Sequence, residues 1–133
     1  MWEPNVPVSD LLGKTLAKIE RLDNDKVMVF TLDSGERYRM YHDQDCCEAV
    51  VIEDIAGDLD DLIGTPLTMA EEATNSETQP EDWKPEYQPD SFTWTFYKFA
   101  TVKGYVTIRW FGESNGYYSE SVSLVKHGEA VPA

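Results

Sequence analysis

The sequence predicts a mainly β, single-domain protein, a small antiparallel sandwich or barrel with a minor helical content. Three observations carry this. Lys26–Leu32, Ser91–Thr101 and Tyr105–Phe111 are rich in β-branched and aromatic residues, and the last two alternate in polarity with period two. Turn signals with glycine follow these runs at Asp33-Ser34-Gly35, Val102-Lys103-Gly104 and Ser114-Asn115-Gly116. The length, 133 residues, is that of one domain able to bury a core.

In chain order, residues 1–8 carry two prolines and no period, so they read as an N-terminal arm. Ser9–Gly13 is a short capped helical turn stopped by glycine. Lys14–Leu22 fits a helix about as well as a strand; Ala17, Ile19 and the strands that follow favour strand. Asp23-Asn24-Asp25 is turn chemistry. Lys26–Leu32 and Glu36–His42 form a hairpin about Asp33-Ser34-Gly35. Cys47–Ile55 is an inner strand ended by Ala56-Gly57, and a second helical turn lies near 58–63. Thr65–Ala73 is strand or extended loop. Residues 74–90 hold three prolines and almost no aliphatic side chains, an excursion whose Trp83 and Tyr87 either pin it to its own domain or anchor a partner. In Ser91–Thr101, Phe92, Trp94 and Phe96 share one face and Thr93, Thr95 and Tyr97 the other. In Tyr105–Phe111, Val106, Ile108 and Trp110 oppose Tyr105, Thr107 and Arg109. Tyr117–Val125 is the last strand, and 126–133 a flexible tail.

An internal echo runs through this order. Ser9–Leu16 (SDLLGKTL) resembles Asp60–Leu67 (DDLIGTPL), each with a glutamate four residues on, Glu20 and Glu71. Each is followed by strands ending in large apolar pairs, Met40-Tyr41 and Trp110-Phe111, then by a polar turn, a doublet (Cys46-Cys47 or Tyr117-Tyr118) and a further strand. Two pseudo-repeated halves packed as two half-sheets would explain it.

The net charge of −14 is polarised. Met40–Trp83 holds 13 Asp or Glu and no Lys or Arg, while the rest of the chain is nearly neutral. This disfavours direct contact with a nucleic-acid backbone and suits a cationic protein partner, a metal or plain solvation. No apolar run reaches the ~20 residues of a membrane helix, and the N-terminus lacks the features of a signal peptide, so the expected location is the cytoplasm of whatever cell makes the protein. Cys46 and Cys47 make no disulfide framework and are expected to be free thiols.

The richest chemistry lies in Met40–Asp61. The acidic face expected to bind a partner comprises Asp43, Asp45, Glu48, Asp58, Asp60 and Asp61. His42, Cys46, Cys47 and Glu48 are alternative ligands for a divalent metal, although their spacing matches no zinc pattern, or could serve a thiol enzyme. The plain alternative is two small buried cysteines at a strand start. The IEDIAGDLDD run lacks EF-hand spacing, and there is no phosphate loop, dinucleotide fingerprint or nucleophile elbow. Asp58 and Asp60 also fit as caps of a short helix.

The segments YHDQDCCEAVVIEDIAGDLDDLIG and SFTWTFYKFATVKGYVTIRWFGESNGYYSESV resemble an uncharacterised family of small phage and prophage proteins, a domain of unknown function, over roughly Tyr38–Val122 outside the 74–90 excursion. The resemblance implies a phage or prophage origin and brings no activity, cofactor or catalytic residue. Three function classes follow: an acidic binding protein docking a basic host or phage protein, with nucleic-acid mimicry one form of it; a metal or thiol enzyme at His42–Glu48; and a virion component assembling through strand edges.

Overall fold

The computed structural model describes residues 5–78, 80, 82 and 89–127. Among these residues, eight strands form two four-stranded antiparallel sheets: β1 (Leu16–Leu22), β2 (Val27–Leu32), β3 (Arg37–Tyr41), β4 (Ala49–Ala56), β5 (Met69–Asn75), β6 (Ser91–Thr101), β7 (Gly104–Ser114) and β8 (Ser123–His127). The order is β1-β2-β3-β8 in one sheet and β4-β7-β6-β5 in the other. The sheets face each other and do not close into a barrel. The two helical turns are 3-10 turns, Val8–Leu11 and Leu59–Leu62.

This strand order is what a duplicated unit would make. Each half contributes a 3-10 turn and a three-stranded meander, and each sends its fourth strand across to the other half's sheet. The equivalent residues of the echo meet at the junction. Gly13 N–H donates to the Leu67 carbonyl at 2.8 Å, and Gly64 N–H donates to the Leu16 carbonyl at 2.9 Å. Thr15 and Pro66, also equivalent, form a β-bridge between them. Leu11, Leu16, Leu62 and Leu67 are all buried around this point.

The core lies between the sheets. Alternation puts Tyr97 and Phe99 of β6 and Val106, Ile108 and Trp110 of β7 inward, against Met28, Phe30, Tyr38 and Met40. Phe30 and Phe99 meet across the core with ring centroids 5.6 Å apart. Trp110 Nε1 donates to Met40 Sδ at 3.2 Å, so the indole N–H, which costs energy if buried without a partner, is satisfied at the echo-equivalent residue. Trp94, on the outer face of β6, is nevertheless fully buried, packed on Phe111 and under the Arg109 guanidinium.

Several boundaries differ from expectation. The last strand starts at Ser123, because Tyr117–Val122 runs as an irregular crossover between the sheets. β8 in turn takes in Lys126 and His127 from the expected tail, in register with Tyr38 and Arg37. Residues 128–133 of that tail and residues 1–4 of the arm lie outside the described residues. The rest of the arm is packed: Val6 N–H donates to the Leu124 carbonyl at 2.8 Å and Val8 is buried. β5 extends to Asn75, into the expected excursion. Trp83 and Tyr87 lie outside the described residues. β4 begins at Ala49, after the cysteines, lies at the edge of its sheet rather than inside it as expected, and carries a bulge at Glu53. The bulge breaks the period of two: Ile52 and Ile55 face Trp110 and Ile108, while Glu53 and Asp54 both fall outside the core.

Candidate functional site

The stretch from His42 to Glu48 carries the chain from β3 of one sheet to β4 of the other, so it cannot be stabilised by strand pairing. A buried carboxylate gathers it instead. Glu48 Oε2 accepts from His42 Nε2 at 2.8 Å and from the Asp45 N–H at 2.9 Å. Its Oε1 accepts from the Cys46 N–H at 2.9 Å and from Gln44 Nε2 at 3.2 Å. The other ring nitrogen, His42 Nδ1, lies 2.6 Å from the Ser121 carbonyl oxygen, which can only accept, so Nδ1–H is the donor there. The imidazole thus ties this crossover to the second one, which leads into β8. Burial by itself would raise the Glu48 pKa; the His42 hydrogen bond and the Cys46 and Asp45 amides outweigh it and hold the carboxyl at about 2.

These contacts correct one expectation. Glu48 is not part of an acidic face, because its side chain is shielded from solvent and its charge is consumed internally. Both nitrogens of His42 and both oxygens of Glu48 are engaged. Among the described residues no group of three or more His, Cys, Asp or Glu is placed to share a metal ion. The second correction concerns the cysteines. They are not free thiols: Cys46 and Cys47 are joined to each other in a disulfide, and both are exposed on the loop surface rather than buried at a strand start.

Of the remaining predicted acids, Asp43, Asp45, Asp58 and Asp60 are exposed, and the set is not clustered. Asp43 and Asp45 stand at one end of β4 and Asp58, Asp60 and Asp61 at the other. Eight strand residues at about 3.3 Å each separate them by roughly 25 Å. Because β4 is an edge strand, the two groups and Asp54 between them form an elongated acidic margin rather than a single patch. Asp58 also caps the second 3-10 turn, accepting from the Asp60 N–H at 2.9 Å. Asp61 is half-buried, and its carbonyl accepts from the Thr101 hydroxyl. At that end Lys103 donates to the Ile63 carbonyl.

Two further arrangements escaped the sequence reading. Arg109, on the outer face of β7, makes a two-point bond to Glu53 (Nε–Oε2 2.7 Å, Nη2–Oε1 2.9 Å) and reaches Asp82 of the 74–90 excursion at 3.2 Å. Its partners raise the guanidinium pKa against the opposing effect of burial, and the Arg109 hydrogen bond lowers that of Asp82. The bulge that aims Glu53 at Arg109 has no sequence signature. The second arrangement is Glu120, buried in the other crossover and accepting from Thr93 Oγ1 at 2.8 Å and Ser114 Oγ at 2.5 Å. Here a signal did exist. Glu48 stands four residues before Ile52, which pairs with Trp110; Glu120 stands four before Leu124, which pairs with Met40. Among the described residues, each half therefore carries one buried glutamate four residues before the strand residue that pairs with the other half's echo-equivalent position.

Compared with known families, residues 9–124 match the family described as Domain of unknown function (DUF7448). No curated protein and no solved structure matches the chain.

Proposed function

The chain belongs to the DUF7448 family, a domain of unknown function, and from that premise we propose that it is a non-enzymatic phage or prophage accessory protein whose acidic margin docks a basic protein partner in the bacterial cytoplasm. The observation that carries the reading is the exposed set Asp43, Asp45, Asp54, Asp58 and Asp60 along and beyond the edge strand β4, within a segment that has no Lys or Arg. Asp54, an exposed carboxylate on the edge strand itself, also works against that edge pairing with another sheet. Docking by charge uses Asp54 together with the acids beyond the strand's two ends. The length of the margin, rather than a concentrated patch, suits an extended basic surface of the kind that otherwise binds nucleic acid. Steering by such a field speeds association and depends strongly on ionic strength.

The test is an affinity capture of the tagged full chain from bacterial lysate at low and moderate salt, followed by calorimetry with each captured protein purified. The comparison is a variant carrying Asp43→Asn, Asp45→Asn, Asp54→Asn and Asp60→Asn. A basic partner whose affinity falls steeply with salt and by more than tenfold in the variant supports the reading. Binding indifferent to salt and to these substitutions, or no purified binder, overturns it.

A further inference from the structure

We propose that Cys46 and Cys47 form a reversible thiol–disulfide exchange site, selective for cationic or neutral thiols over anionic ones. Three observations support it. First, the bond joins neighbours in sequence. A disulfide stabilises mainly by closing a loop in the unfolded chain, and a link between adjacent residues closes essentially none. The bond therefore has little work as a structural staple. Second, the loop that carries it is held without the sulfurs: the Glu48 carboxylate collects His42, Gln44 and the amides of Asp45 and Cys46. Opening the bond leaves that lock in place, so reduction and reoxidation can proceed in the folded protein. Third, both cysteines are exposed, and Cys47 lines a cleft of about 280 Å³ with Asp90, Glu113, Asn115 and Tyr118.

The chemistry is exchange with an external thiol. A thiolate entering from the cleft attacks Cys47 Sγ, and the bond to Cys46 Sγ breaks. The electron pair leaves on Cys46 Sγ, which takes a proton. A second thiol, on the same reductant or another molecule, attacks the reductant sulfur of the mixed disulfide and releases Cys47 as a thiol. The protein gains two electrons and two protons, and two reductant thiols become one disulfide. Asp90 in the cleft, with Asp43 and Asp45 close in sequence to the cysteines, sets a negative field over the approach. That field repels an anionic thiol and attracts a cationic one.

The experiment uses the full chain, oxidised by oxidised glutathione and then freed of it. Maleimide labelling without denaturant is read by intact mass, before and after treatment with dithiothreitol, cysteamine (cationic) or glutathione (anionic). The expected result is no label before reduction, two labels afterwards, an unchanged far-UV circular dichroism spectrum, and loss of labelling on reoxidation. Rates per thiolate should favour cysteamine over glutathione by about tenfold at low salt and converge at high salt. Two labels on protein never exposed to reductant after oxidation would show that the bond does not form. Labelling only in denaturant would show that it is not an exchange site in the folded protein. Equal rates for the two thiols at low salt would overturn the charge selectivity.

Discussion

If the two halves are equivalent, the same substitution at equivalent places must cost the same. Leu11 and Leu62 lie in the two 3-10 turns, and Leu16 and Leu67 flank the Thr15–Pro66 bridge; relative exposures are 0%, 0%, 0% and 2%. Replacing a buried leucine by alanine loses the transfer free energy of the removed carbons and leaves a cavity, typically 2–5 kcal/mol in total, the spread reflecting how far each site can collapse. Leu16 and Leu67 sit in reciprocal hydrogen-bonded frames, since each carbonyl accepts from the other half's glycine. The sites should therefore relax alike, and L16A and L67A should each cost about 3 kcal/mol and agree within about 1 kcal/mol. L11A and L62A should agree in the same way. Urea unfolding followed by tryptophan fluorescence gives the numbers; with a slope of about 1.5 kcal/mol/M, each variant's midpoint moves by about 2 M. The exposed Leu12 is the control, expected to change stability by no more than about 0.5 kcal/mol as alanine. A gap above about 2 kcal/mol within either pair, or a cost below about 1 kcal/mol for any of the four, would refute the equivalence of the halves.

Three more outcomes follow from particular contacts. The Glu48 carboxyl falls from 4.5 to about 2 on folding, so its contribution to stability is complete above the unfolded value and is lost as pH drops from about 4.5 through about 2; urea midpoints measured across that range should decline less steeply in Glu48→Gln than in the parent, and parallel declines would contradict the buried lock. Gly57 has φ +112°, and a Cβ there would stand 2.6 Å from the Tyr105 carbonyl oxygen, so Gly57→Ala combines backbone strain with overpacking and should lower stability by about 2–4 kcal/mol in chemical denaturation. Arg109→Lys keeps the charge but loses the two-point bond to Glu53 and the planar contact with Trp94; a loss of about 1–3 kcal/mol is expected, together with a red shift and quenching change in the emission of Trp94 as it becomes wetter, and an unchanged spectrum would count against Trp94 being covered by this side chain.

Much of this architecture was legible before any coordinates. Alternation in Ser91–Thr101 and Tyr105–Phe111 determined the strands, because a period of two can bury one face only as a strand. Gly13 and Gly64 marked the ends of two helical turns, and the repeated SDLLGKTL and DDLIGTPL segments announced two similar halves. The acid count between Met40 and Trp83 was likewise a property of the chain. What the sequence could not supply was where each half's fourth strand goes. Local pattern places strands in Cys47–Ile55 and Tyr117–Val125, but does not say that each pairs with the other half's meander; that choice depends on contacts far apart in the chain, such as Trp110 on Met40 and His42 on the Ser121 carbonyl. The same distance in sequence hid the fate of the charges. Composition counts Glu48 with Asp43 and Asp45, and only folding separates a carboxylate buried among four donors from two left in water. The joining of Cys46 to Cys47, and the bulge that turns Glu53 towards Arg109, were likewise decided by the local path of the backbone, which residue order alone does not contain.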